Sequence, residues 1–132
     1  AFVVLFLQRA LVRLAGWSAR TASAAVLGVL LVSAAIAATV KPSALNGSEL
    51  YLGPWLALIG LSRLCPPSPA RGWLTASAAL FGVSMVCRSI DLAVCDAFPL
   101  GTHFGWHVNN ALVLWCGMQA LMPKARGQTP DR

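Results

Sequence analysis

Uncharged apolar stretches alternate with short polar turns along the whole chain, and the turns mark out the elements. Residues 1–16 read as the end of a helix that leaves an apolar environment at Arg9, Arg13 and Arg20, with Gln8 and Trp17 flanking the exit. Residues 21–40 carry no charge and are rich in Ala, Val and Leu. A helix of about twenty residues at 1.5 Å per residue covers the roughly 30 Å of a bilayer's hydrocarbon. The stretch from Lys41 to Glu49 is turn-rich, and a third apolar run follows over residues 50–64. That run is short for a crossing, and Pro54 either sits in its first turn or kinks it. It ends at Arg63 and at a linker, residues 65–72, whose three prolines predict a non-helical connection. A fourth span is predicted over residues 73–95, with Arg88 and Asp91 inside it. Pro99 and Gly101 make the next turn, Thr102 is the expected N-cap, and a fifth span runs to residue 122 before Pro123 stops it. There is no internal repeat at solenoid or propeller periods.

Composition turns this pattern into a class. Hydrophobic residues make up 58% of the chain and charged residues 11%, whereas a soluble domain carries about 25% charge. The expectation is an all-α, polytopic transmembrane helix bundle over residues 1–123, with about five helices, followed by a polar tail over 124–132. The formal charge of +6 does not point to nucleic acid, because the basic residues are scattered between apolar runs and form no phosphate-tracking face. Their placement bears instead on orientation. Arg9, Arg13, Arg20, Arg63, Arg71, Lys124, Arg126 and Arg132 all fall in the loops after spans one and three or in the tail, and the two opposite loops hold only Lys41. By the positive-inside rule the tail, and so the C-terminus, is cytoplasmic. The four cysteines are split between apolar runs and run ends, which reads as small buried hydrophobes and not as a disulfide framework. The chain opens inside an apolar run without a methionine, so the expectation is that an N-terminal part of the protein precedes Ala1.

Candidate chemistry concentrates around the last turn. Both histidines, His103 and His107, stand four residues apart at the start of the fifth span. A helix advances about 100° per residue, so the two imidazoles fall on one face. That spacing suits two ligands to one metal ion, and it equally suits paired hydrogen bonds to neighbouring helices. Asn110 extends the same stripe and can orient an imidazole or bond across helices. Arg88 and Asp91, three apart on the fourth span, are expected to pair along one helix face and neutralise each other. Asp91 can alternatively serve the site, as a ligand, as an acceptor for a histidine N–H, or as a base for a metal-bound water. Arg88 would then stand behind it. Cys116 is nine residues beyond His107, on the opposite side of the helix and about 13 Å further along, so it is excluded from the pair's site. Trp17, Tyr51, Trp55, Trp73 and Trp106 lie near span ends and read as an interfacial aromatic belt.

The stretch Asp91-Leu92-Ala93-Val94-Cys95, followed by Phe98-Pro99-Leu100-Gly101-Thr102-His103-Phe104-Gly105-Trp106-His107 and Asn110-Ala111-Leu112, resembles the last two helices of the alkaline ceramidases. That family sits in a group of seven-helix membrane proteins, thought to be zinc hydrolases, with the Per1-like proteins and the progestin and adipoQ receptors. The resemblance covers about forty residues, and its specific part is the paired-histidine pattern. It implies a seven-helix fold of which this chain carries about five helices. It also implies Zn2+ held by His103 and His107 with a third histidine that has no counterpart here. The implied activity is hydrolysis of ceramide-like membrane lipids to a sphingoid base and a fatty acid. Asp91 is not equated with the early-helix aspartate of that family. The chemistry agrees with this reading, since zinc with an open position polarises a carbonyl and lowers the pKa of its bound water. The competing classes are a lipid-binding receptor or structural membrane protein of the same architecture, and a transporter using the histidines as a proton relay.

Overall fold

The computed structural model describes residues 2–40 and 45–122, and the expected tail lies outside them. The described residues form five α-helices and no strand: α1 (Phe2–Ala15), α2 (Ala19–Thr39), α3 (Leu52–Leu64), α4 (Pro69–Val94) and α5 (His103–Leu121), with a 3-10 turn at Glu49–Tyr51 leading into α3. Each helix packs on the next in the chain, and α1 also touches α3 and α5, which closes the bundle.

Two helices, α2 with 21 residues and α4 with 26, are long and apolar enough to cross a membrane. The other three do not meet that description. α1 and α3 have 14 and 13 residues, and α5 has 19 but carries two histidines, two asparagines and a glutamine.

Local chemistry sets the helix ends. Ser18 accepts the N–H of Thr21 and starts α2. Pro54 falls in the first turn of α3, where its missing N–H costs nothing. The linker expectation needs correction. Residues 69–72 are helical: Ser68 adopts an extended backbone, accepts the N–H of Arg71 and caps α4, with Pro69 at the start of the first turn. Proline is pre-organised for that position, so the last of the three prolines begins a helix instead of preventing one.

The bundle has two unlike ends. Leu7 and Leu11 of α1, Ala22 and Val26 of α2, Leu58 and Leu61 of α3, Leu74 and Ala78 of α4 and Ala120 of α5 form one apolar core. These positions belong to the end of the bundle that carries the α1–α2 and α3–α4 connections. Exposed Arg9, Arg13, Arg20 and Arg63 lie at the same end. The other end, at the α4–α5 turn, is held by hydrogen bonds and aromatic contacts. On α4, the buried Ser77 and Ser84, seven residues apart, both turn to α5: Ser77, beside the apolar core, donates to the Val113 carbonyl, and Ser84, nearer the turn, points its one O–H between the Trp106 carbonyl and Asn110 Oδ1, each at 3.0 Å. Small residues let two helix backbones approach closely, and Gly105 adds to this, since a Cβ there would stand 3.3 Å from Cys87 Sγ. Large apolar side chains point outward instead, among them Leu27, Leu31, Val86, Leu92, Val108 and Leu114. All four cysteines are free thiols.

Candidate functional site

The turn between α4 and α5 brings most of the expected site residues together. Phe98 accepts the N–H of Gly101, and Gly101 then takes φ +61°, which reverses the chain onto the side of α4. A left-handed glycine is needed here on two counts, because a Cβ at this position would also collide with the Asp91 carboxylate. Thr102 occupies the N-cap position of α5 as expected, but its hydroxyl does not cap the helix. It donates to the Cys87 carbonyl on α4. The cap comes from Asp91, whose Oδ1 accepts the backbone N–H of Thr102 at 2.6 Å and of His103 at 2.8 Å.

His103 and His107 stand beside each other on the first two turns of α5, ring centroids 4.9 Å apart and nearly perpendicular. Among the described residues no hydrogen bond reaches either imidazole. The nearest charged group is Asp91, whose Oδ2 lies 3.8 Å from His103 Nδ1; the His103 side chain is 45% exposed and Asp91 14%. With Nδ1 on the Asp91 side, Nε2 of His103 is left for a ligand.

Two adjacent imidazoles without hydrogen-bonded partners fit the donor set of a zinc ion. They supply two ligands. Among the described residues no group of three His, Cys, Asp or Glu side chains is arranged to hold a metal.

The remaining expected residues fall elsewhere. Asn110 does not reach an imidazole; it accepts from Ser84 and so bonds across helices. The expected Arg88–Asp91 pair does not form: among the described residues the side chain of opposite type within 4.0 Å of the Asp91 carboxylate is the His103 imidazole. Three residues along α4 place the two side chains near each other in principle, but Asp91 is drawn to the N–H groups at the start of α5. Arg88 stacks over the Trp106 ring instead, 4.9 Å from its centroid.

Trp106 stands at the site beside both imidazoles, which its place near a span end did not signal. Its ring contacts His107 at 4.5 Å, His103 at 5.4 Å and Tyr51 at 6.1 Å and carries Arg88 over its face, an aromatic wall to the site. Tyr51 and Trp55 also turn inward, Tyr51 against Phe81 and Trp55 donating to the Ala78 carbonyl. The buried side-chain atoms without a partner among the described residues are Glu49 Oε1, Arg88 Nε and Trp106 Nε1. The loop ahead of α3 also bears on this region, with Asn46 Nδ2 donating to the Arg88 carbonyl and Ser89 to the Leu45 carbonyl and Ser48. No periodicity in the sequence marks these contacts, apart from the seven-residue spacing of Ser77 and Ser84.

Below the aromatic wall, an apolar cavity of about 190 Å³ runs between α1, α3, α4 and α5. Phe6, Leu58, Phe81 and Val113 line it, and Tyr51 and Asn110 lie among its walls. Comparison of the chain with models of known protein families, with curated proteins and with solved structures gives no match.

Proposed function

We propose that this chain is part of a polytopic membrane protein with a metal-dependent hydrolase centre at the α4–α5 turn. More specifically, the reading is a zinc-dependent amide hydrolase that acts on ceramide-like lipids and gives a sphingoid base and a fatty acid. The observation that carries it is the His103–His107 pair, two imidazoles with centroids 4.9 Å apart that share a face of α5. The resemblance of the last two helices to those of the alkaline ceramidases supplies the substrate class.

The membrane setting is supported by α2 and α4, by the outward-facing leucines and valines, and by serines used as contacts between helices. The arginines gathered at one end favour a cytoplasmic location for that end and for the tail. The histidines then lie toward the opposite face, where the amide of a two-chain lipid sits near the headgroups.

In this reading His103 and His107 are two of the zinc ligands, and the described residues group no third with them. Zinc, when bound, polarises the amide carbonyl and makes water a nucleophile near neutral pH. The chain's own residues hold and shape the site. Trp106 packs against both imidazoles, the first two turns of α5 present the two rings, and the apolar cavity beneath accommodates hydrocarbon.

The test is release of fatty acid from ceramide by the purified full-length protein, with bound zinc measured in parallel; residues 1–132 alone, with two histidines, should bind zinc weakly and release none. His103→Ala and His107→Ala should each abolish release and lower zinc content, because the ligands left hold the ion poorly. Unchanged ceramide cleavage after both histidines are replaced by glutamine would falsify the assignment. Zinc and ceramide bound with no product released would mark a receptor.

A further inference from the structure

We infer that Asp91 is a positioning residue, which fixes where α5 begins and how His103 is presented, and not a base or a metal ligand. In assigning Asp91 a part in hydrolysis the inference rests on the reading above; the cap itself does not.

The start of an α-helix leaves its first N–H groups without partners inside the helix. Usually the side chain at the N-cap supplies an acceptor. Thr102 does not do so here: its hydroxyl is turned to α4, where it donates to the Cys87 carbonyl, and it accepts no N–H of α5. The acceptor arrives from the preceding helix, eleven and twelve residues earlier in the chain, as Asp91 Oδ1. A carboxylate at this place also faces the positive end of the helix dipole, and at 14% exposure it is little screened by solvent.

Both N–H groups converge on one oxygen, so Oδ1 is occupied. Oδ2 is the atom left on the imidazole side, 3.8 Å from His103 Nδ1. His103 is the first residue of α5, at a place where helices fray. Loss of the first turn would let its ring swing away from His107, which lies a full turn inside the helix. Asp91 therefore maintains the spacing of the pair through the backbone of His103. Gly101 completes the device by leaving room for the carboxylate where a Cβ would sit.

The experiment compares Asp91→Asn with Asp91→Ala in the full protein, since an asparagine Oδ1 accepts the same two N–H bonds without the charge. Amide hydrogen exchange over residues 102–105 is read without metal, and cobalt(II) alone is titrated as the probe of the histidine pair. Asp91→Asn should keep exchange protection and bind cobalt within about threefold of the parent. Asp91→Ala should exchange faster by at least about tenfold and bind cobalt roughly 10–100-fold more weakly, the range found when a residue supporting a metal ligand is lost. If Asp91→Ala does not fold, the Asp91→Asn variant decides alone. An Asp91→Asn protein with normal exchange protection but cobalt affinity reduced tenfold or more overturns the inference, because the charge itself would then act on the metal. Unchanged exchange in Asp91→Ala overturns it too. A parent protein that binds no cobalt defeats the hydrolase reading and leaves the exchange result to judge the cap.

Discussion

Arg88 lies face-on to Trp106, with its guanidinium carbon 4.9 Å from the ring centroid, and makes no ion pair with Asp91 three residues further along the same helix. A cation over an indole face is held by the ring's quadrupole and contributes about 0.5–2 kcal/mol, depending on how far it is desolvated. Arg88 and Asp91 thus belong to different interactions. The Arg88→Met and Asp91→Asn substitutions should therefore act independently on thermal stability in detergent. A double-mutant cycle is expected to give a coupling below about 0.5 kcal/mol. A coupling above about 1 kcal/mol would restore the ion pair that the three-residue spacing suggested.

Ser84 is fully buried and shares its one hydroxyl proton between two acceptors on α5, the Trp106 carbonyl and Asn110 Oδ1. Ser84→Ala should destabilise the protein by about 1 kcal/mol through the lost hydrogen bonds. Ser84→Leu should cost more, because a large side chain must push apart two backbones that meet across small residues. Denaturation followed by tryptophan fluorescence would order the three proteins. A Leu variant as stable as the Ala variant would show that α4 and α5 are not closely packed there.

Topology separates two exposed positions. Pro67 lies in the α3–α4 connection and Ala97 in the α4–α5 turn, at opposite ends of α4. With the native cysteines replaced, Pro67→Cys and Ala97→Cys should label from opposite sides of the membrane. In sealed membrane vesicles exposing the cytoplasmic face, Pro67→Cys should react with an impermeant maleimide, and Ala97→Cys after permeabilisation alone. Labelling of both from one side would remove the membrane-spanning role of α4.

The run of apolar residues between polar turns was enough to place the five helices, because a segment that buries or exposes so much hydrocarbon has to satisfy its backbone internally, and a helix does that within itself. The four-residue spacing of His103 and His107 was equally legible, since helix geometry alone puts them on one face. Pro69 misled because a proline that ends one helix and a proline that opens the next look alike until Ser68 is seen to cap. The partners of Arg88, Asp91, Asn110 and Trp106 were decided by the fold. Each has several neighbours within reach along its own helix, and the choice among them depends on the α4–α5 approach. The turn at Gly101 sets the unsatisfied N–H groups of α5 against Asp91, and the serine contacts hold Trp106 under the Arg88 guanidinium. Sequence spacing along one helix determines which side chains share a face; what that face meets is a property of the second helix, and only the tertiary structure supplies it.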